Sequence, residues 1–293
     1  MKNVRRLLII GANGRLGAAL ARDYQRVFSV KAFARSQLDL GKLDQIRSVL
    51  SGTEFDLLIN CAALTNVDYC ESHRDEALLV NAQAPRLLAE ICAEKSAKLV
   101  HISTDYVFDG KQDTPYIEED SPAPLSIYAE SKLGGEQEVL AVSPKNLVVR
   151  LSWVFGPDKP SFIDQIIQRA GESDSVTAVA DKFSSPSYTT DVANWLRLAL
   201  DSEAQGILHL CNSGACSWQE WAQFAIDVCH GVGMAVKADH VEKLSLTDMK
   251  NFVARRPVYT VLSTAKFTAL TGVQPRHWRE AIAEYISTHI CKK

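Results

Sequence analysis

Tyr128 and Lys132 stand four residues apart in Ile127-Tyr128-Ala129-Glu130-Ser131-Lys132, and on a helix that spacing puts both side chains on one face. An ammonium so placed is expected to lower the pKa of the phenol, making Tyr128 a general acid at neutral pH. Tyr-x-x-x-Lys is common by chance. It gains weight here from Ser103-Thr104-Asp105-Tyr106, which closes a strand-like run upstream and sets the Thr104 hydroxyl near the expected reaction centre. A strand-ending turn is the alternative for that tetrapeptide.

A second group concerns phosphate. Gly11, Gly14 and Gly17 are spaced Gly-x-x-Gly-x-x-Gly in Gly11-Ala12-Asn13-Gly14-Arg15-Leu16-Gly17, between a strand pattern and a helix pattern. Glycine permits the tight turn and close backbone approach to a pyrophosphate, and the helix N-terminus offers free N–H groups. Together with the tyrosine and lysine, this implies a nucleotide-dependent redox enzyme. The second strand ends Phe33-Ala34-Arg35-Ser36, without a carboxylate to repel a 2'-phosphate. Arg35 and Arg15 could hold that phosphate, so NADP(H) is preferred over NAD(H). The alternative for Arg35 is a solvated surface charge. Asp39-Leu40 could reach the adenine, and Asn60-Cys61-Ala62-Ala63 closes the third strand with small residues that let a cofactor lie close. Trp153 follows the strand Leu147–Ser152 near the same crevice, as sugar-stacking surface or as packing. The adjacent Arg255 and Arg256 could hold a diphosphate or sit in a solvated loop.

These side chains need a scaffold, and the chain supplies alternating signals for one. Strands are expected at Arg6–Ile10, Ser29–Phe33, Asp56–Asn60, Lys98–Ser103 and Leu147–Ser152. Helices are expected at Leu16–Gln25, Leu43–Leu50, Glu76–Lys95 and Tyr128–Leu140. Such alternation predicts right-handed βαβ units and an α/β, doubly wound parallel sheet of the Rossmann type. The connection Asp105–Ile127 is long and proline-punctuated, as lid-like loops are. Beyond Gly156-Pro157 the pattern loosens, with helices at Phe162–Ala170, Thr190–Leu200 and after the capping box Ser217-Trp218-Gln219-Glu220, and strands near Val176–Val179 and Ile207–Cys211. The expected division is a dinucleotide-binding domain over residues 1–153, with a returning segment near 181–212, and a smaller, mainly substrate-binding lobe over 154–293.

Composition narrows the class. The 293 residues are 46% hydrophobic and 23% charged with net charge -3, which describes a globular chain without the basic excess of a nucleic-acid binder. Lys2, Arg5 and Arg6 precede an apolar run of only Leu7–Ile10, so neither a signal peptide nor a membrane span is expected, and the protein should be cytoplasmic. The seven scattered cysteines read as reduced core thiols. No Cys-x-x-Cys pair or histidine cluster suggests a metal.

Taken together, the motifs resemble the extended short-chain dehydrogenase/reductases, specifically the dTDP-4-dehydrorhamnose reductase family. The most specific pieces are Ser103-Thr104-Asp105-Tyr106-Val107-Phe108-Asp109-Gly110, Tyr128 and Lys132 followed by Gly135-Glu136, Arg150-Leu151-Ser152-Trp153-Val154-Phe155, Ser185-Pro186, and Ala254-Arg255-Arg256-Pro257. Ala62-Ala63-Leu64-Thr65-Asn66-Val67-Asp68 with Glu71, and Asn81, are also similar to that family. The resemblance implies that Thr104, Tyr128 and Lys132 are catalytic. Thr104 would bond a C4 keto oxygen, Tyr128 protonate it, and Lys132 hold the nicotinamide ribose. Cofactor contacts are expected from Gly11, Asn13, Gly14, Arg15, Leu16, Gly17, Arg35, Asp39, Leu40, Cys61, Ala62, Ala63, Thr65 and Asn81, besides Tyr128 and Lys132, and the resemblance implies that Asn81 supports a proton relay behind Lys132. Thr104, Tyr106, Trp153 and Arg256 would contact a nucleotide sugar. Dehydratases of the superfamily carry Asp-Glu after the Ser-Thr, whereas this chain has Asp105-Tyr106, which argues against elimination of water. Some members are magnesium-linked dimers with carboxylates near the C-terminus, but this chain ends His289-Ile290-Cys291-Lys292-Lys293, and no metal is expected. A monomer or homodimer is expected, with no nucleic acid and no membrane as partner. Other readings are a reductase or epimerase for another nucleotide sugar and a non-catalytic NADP-binding regulatory subunit.

Overall fold

In the first strand, alternate residues enter different cores. Leu7 and Ile9 of β1 (Arg6–Ile10) face one cluster, Leu8 and Ile10 the other, and all four are buried. A strand covered on both faces reads as an unbroken apolar run, which is why Leu7–Ile10 carries no polar alternation. The computed structural model describes residues 4–291 of the chain; Lys2, Lys292 and Lys293 lie outside the described residues.

The sheet also contains β2 (Ser29–Phe33), β3 (Leu57–Asn60), β4 (Lys98–Thr104) and β5 (Leu147–Leu151). After β6 (Val154–Phe155), β7 (Ser175–Val179), β8 (Phe183–Ser184) and β9 (Ser187–Tyr188), the strand β10 (Gly206–His209) closes it on the far edge. The order is β10-β5-β4-β3-β1-β2, parallel throughout. The chain winds one way from β1 to β2 and the other way from β3 onward. The switch lies between β1 and β3, where open α/β sheets bind ligands beyond the carboxyl ends of the strands.

One face is covered by α1 (Arg15–Asp23), whose Leu16 and Leu20 pack with Trp195, Leu196 and Ala199 of a later helix. The other face carries α2 (Leu43–Ser51). Two short helices follow, α3 (Val67–Ser72) and α4 (Arg74–Leu78). The expected helix Glu76–Lys95 is in fact α4 continued through a π-helical stretch, Leu79–Gln83, into α5 (Ala84–Glu94). α6 (Ile127–Val142) completes this face, and its Gly135 explains the close fit. A Cβ there would stand 2.1 Å from the Asn81 carbonyl oxygen in the π stretch.

The remaining residues build a lobe and then return. α7 (Phe162–Glu172) leads into β7, and α8 (Thr189–Asp201), containing Trp195, covers the first face of the sheet before β10. After β11 (Cys216–Ser217), α9 (Trp218–Gly231) opens on the expected capping box. β12 (His240–Leu244) pairs with β7 in a separate parallel ribbon. α10 (Ala265–Thr271) and α11 (Trp278–Tyr285) follow, and α11 runs on into a π-helical stretch, Ile286–Ile290. The lobe has its own core, in which Phe155, Trp221, Trp278 and Tyr285 pack together. Within the described residues no helix is long and apolar enough to cross a membrane.

Candidate active site

Beyond the carboxyl ends of β1, β3, β4 and β5 lies a cleft of about 630 Å³. The turn after β1 makes its floor. Gly11 adopts φ +86°, and a Cβ on it would meet the Ala62 backbone nitrogen at 2.7 Å. Gly17 is packed harder still, since its Cβ would stand 2.2 Å from the Gly11 carbonyl oxygen. Gly14 is the N-cap of α1 and supplies no side-chain acceptor. The first-turn N–H groups of α1 are therefore available to a diphosphate, and a dinucleotide fits this cradle.

Of the residues expected to hold a cofactor, Gly11, Asn13, Gly14, Arg15, Leu16, Arg35, Asp39, Leu40, Cys61, Ala62, Ala63, Thr65, Tyr128 and Lys132 line the cleft. Gly17 instead supports the turn from behind. Asn81 is fully buried, accepting from Leu64 N at 2.8 Å and donating to Leu64 O and Ser131 Oγ, each at 3.0 Å. Ser131 in turn donates to the Tyr128 carbonyl at 2.8 Å, so Asn81 joins the loop after β3 to the helix bearing Tyr128. Arg15 donates to the backbone carbonyls of Lys159, at 3.0 Å, and Pro160, which ties the glycine turn to the lobe. Arg35 sits at the mouth, mostly exposed, 3.5 Å from Asp39.

Thr104, Tyr106, Tyr128, Lys132 and Trp153 meet at the other end of the same cleft. Ser126 caps α6 and Glu71 accepts from Ile127 N at 2.9 Å, fixing where the helix begins and so where Tyr128 points. Tyr106 meets Tyr128 edge to face at 5.9 Å. Trp153 holds φ +41°, a conformation unusual for a bulky residue, and its ring stacks on Trp221 at 5.5 Å. The tyrosine–lysine electrostatics differ from expectation. Burial raises the Tyr128 phenol above its ordinary value, with the Thr104 hydroxyl opposing. Lys132 donates to the Ile102 carbonyl at 2.6 Å, and burial pushes its ammonium down to about 8 against the charge of Glu136. Desolvation outweighs pairing for both groups, so the lowered phenol pKa read from spacing alone is not what this arrangement gives.

Arg256 does not line the cleft. Its guanidinium is held by Asp68, with Nη1 at 3.0 Å and Nη2 at 2.5 Å. Sequence reasoning missed Lys182, fully buried with its ammonium 4.8 Å from the Tyr106 ring centroid and donating to the Pro257 carbonyl at 2.5 Å. It also missed the donors that hold the buried Asp105 carboxylate, the hydroxyls of Thr104 and Ser184 at 3.1 Å each and that of Thr260. Burial raises the Asp105 carboxyl pKa, with Lys182 opposing. Lys182 and Thr260 carry no local signal, because only the folded lobe brings them behind Thr104. Among the described residues no group of three or more His, Cys, Asp or Glu side chains is disposed to hold a metal.

A doubly wound parallel sheet, a glycine turn under a helix N-terminus, and a hydroxyl, tyrosine and lysine around one cleft define an extended short-chain dehydrogenase/reductase. Residues 5–291 match the family described as the RmlD substrate binding domain. The chain belongs to that family, that of the dTDP-4-dehydrorhamnose reductases, and is an oxidoreductase. It is 38% identical to the dTDP-4-dehydrorhamnose reductase of Mycolicibacterium smegmatis, over 97% of this chain and 85% of that one. A probable dTDP-4,6-dihydroxy-2-methyloxan-3-one 4-ketoreductase of Streptomyces antibioticus is 36% identical, over 95% and 94% of the two chains. The structure of the Bacillus anthracis dTDP-4-dehydrorhamnose reductase, a complex with NADP, superimposes with TM-score 0.88 at 32% identity, covering 97% of this chain and 99% of that one.

Proposed function

We propose that this protein reduces the C4 ketone of a dTDP-4-dehydro-6-deoxy sugar at the expense of NADPH, with dTDP-4-dehydro-L-rhamnose as substrate and dTDP-L-rhamnose as product. The observation that carries this reading is the convergence of Thr104, Tyr128 and Lys132 at one end of a cleft whose other end is the glycine turn.

The residues Gly11 to Leu16 would hold the cofactor diphosphate, Arg35 its 2'-phosphate, and Ala62 and Ala63 its nicotinamide half. Bound there, the reduced nicotinamide supplies hydride to the sugar carbon. Tyr128, whose phenol keeps its proton well above neutral pH, hands that proton to the developing alkoxide. The Thr104 hydroxyl hydrogen-bonds the same oxygen and fixes the ketone against Tyr128. Lys132 stays charged at neutral pH and orients the cofactor ribose. Tyr106 and Trp153 form the walls of the sugar site, with the lobe over 154–293 contributing most of the substrate surface and residues 1–153 most of the cofactor surface.

The test is loss of NADPH absorbance with dTDP-4-dehydro-L-rhamnose generated in situ and NADH run in parallel. Turnover faster with NADPH is expected. NADPH binding without turnover would sink the rhamnose assignment. The ketoreductase relative from Streptomyces supports a second reading, another dTDP-4-keto sugar, which a substrate panel separates.

A further inference from the structure

After β12 the chain does not fold straight back into the lobe. Asp181 accepts from Ser245 Oγ at 2.6 Å and from Leu246 N at 2.7 Å, and the strap Ser245–Val258 then crosses to α3. Four of its donors converge on one carboxylate there. Asp68 Oδ1 accepts from Val253 N at 2.8 Å, Ala254 N at 2.9 Å and Arg256 Nη1 at 3.0 Å, and Oδ2 accepts from Arg256 Nη2 at 2.5 Å. The strap rejoins the lobe where Pro257 accepts from Lys182 and Phe183 N donates to the Val258 carbonyl at 2.7 Å.

Arg256 is poorly placed to serve as a ligand. Its side chain is only 7% exposed, and its guanidinium lies 3.5 Å from the Phe252 ring centroid. Three of its N–H groups are engaged, two with Asp68 and one with the Ala254 carbonyl at 2.8 Å. A bidentate carboxylate of this kind competes with phosphate for the same fork. The strap meanwhile reaches both rims of the cleft through one intermediary each, Asp68 on one side and Trp218 on the other. Val67, next to Asp68, lines one rim. Trp153 lines the other and packs on Trp218 at 5.7 Å, which meets Phe252 edge-on at 6.3 Å.

We propose that Asp68 and Arg256 are positioning residues that clasp the strap Ser245–Val258 against the walls of the sugar end of the cleft, Arg256 acting through Asp68 and not as a ligand of the substrate diphosphate. The proposal rests on the nucleotide-sugar reading above for what occupies that end of the cleft. It reverses the role that adjacent arginines suggest in the sequence.

A double-mutant cycle tests it, with Asp68→Ala, Arg256→Ala and the pair compared at saturating NADPH, alongside calorimetric binding of dTDP and tryptic cleavage after exposed Lys250. Each single variant is expected to raise KM about tenfold with kcat held within about twofold, and the pair should be no worse than either alone. Cleavage after Lys250 should quicken in all three. Losses that multiply in the pair would overturn the proposal, because Arg256 would then act independently of Asp68. Lys250 as protected as in the wild type would overturn it as well. If Asp68→Ala folds poorly, Asp68→Asn carries the same comparison with a neutral isostere. Wild-type protein that neither binds dTDP nor turns over would sink the nucleotide-sugar reading instead, while the cleavage pattern still decides the clasp.

Discussion

Glu136 of α6 and Arg150 of β5 form a forked ion pair in the core, Nη2 to Oε2 at 2.7 Å and Nε to Oε1 at 2.9 Å, with both side chains almost wholly buried. Ser103 Oγ donates to the same carboxylate. Glu136 lies one turn beyond Lys132, so this pair locks the helix carrying Tyr128 and Lys132 to the two strands beneath it. Removing one partner of such a pair leaves the other charged and unpaired, at a cost of roughly 3 kcal/mol or more. Glu136→Gln is therefore expected to lower Tm by about 5–10 °C. A companion Arg150→Met change should recover part of the loss, because no guanidinium is then left buried without its carboxylate. Thermal unfolding followed by circular dichroism decides it, and an unchanged Tm in Glu136→Gln would contradict the locking role.

Tyr128→Phe removes a hydroxyl and little else. The ring keeps its edge contact with Tyr106, so the wall of the cleft stays in place. Turnover is expected to fall at least about a hundredfold, the usual range for a lost general acid, while the Kd for NADPH shifts less than about threefold. Fluorescence titration and steady-state rates separate the two. Turnover near the wild-type value would remove Tyr128 from the chemistry.

The pH behaviour follows from Lys132. Burial brings its pKa down to about 8, while the Tyr128 phenol is pushed up and retains its proton. A basic group is charged below its pKa. With saturating NADPH, kcat/KM should stay level through neutral pH and decline above pH ~8 as Lys132 discharges. Stability moves the other way. The folded pKa lies below the ordinary lysine value of 10.5, so at this site the unfolded chain binds more protons and the contribution of Lys132 to stability rises with pH between about 8 and 10.5. Lys182, brought down to about 8 by the same cause, adds to this rise, and above pH ~9 the thiols of Cys61, Cys70, Cys92, Cys211, Cys216 and Cys229, whose pKa values burial raises, oppose it. Rates measured from pH 7 to ~10, and urea midpoints from pH 7 to ~8.5 where the thiols of both states still hold most of their protons, check both slopes. A rate still level at pH 10 would show that the charge on Lys132 is not required.

Strand and helix order was legible because the inner strands β1, β3 and β5 have both faces buried and read as largely apolar runs, and because Gly11, Gly14 and Gly17 punctuate the first turn. The cleft residues followed from their places at strand ends. Less legible were effects that depend on distant segments meeting. The π stretch at Leu79–Gln83 carries no local signature, and its fit against Gly135 shows only once α5 and α6 are packed. Asp68 and Arg256 are 188 residues apart, so an arginine that reads as a phosphate ligand proves to be tied to a carboxylate. Spacing placed Tyr128 near Lys132, but the pKa of each is set by how deeply both are buried, which spacing does not encode.

Cofactor choice rests on the mouth of the cleft. The Arg35 side chain is 75% exposed, and its contact with Asp39 at 3.5 Å is an exposed ion pair, of a kind that contributes only ~0–1 kcal/mol. Little therefore opposes a swing of the guanidinium toward a 2'-phosphate, where a charge-assisted contact would be stronger. Arg35→Ala is expected to weaken NADPH binding about tenfold, roughly the value of one such contact, and to leave NADH binding within about twofold. Because the side chain stands in solvent, Tm should not move, which separates a lost phosphate contact from a disturbed fold. Parallel titrations with the two dinucleotides give the answer. Equal losses for both would mean that Arg35 supports the adenosine end in general and that discrimination lies elsewhere around the glycine turn.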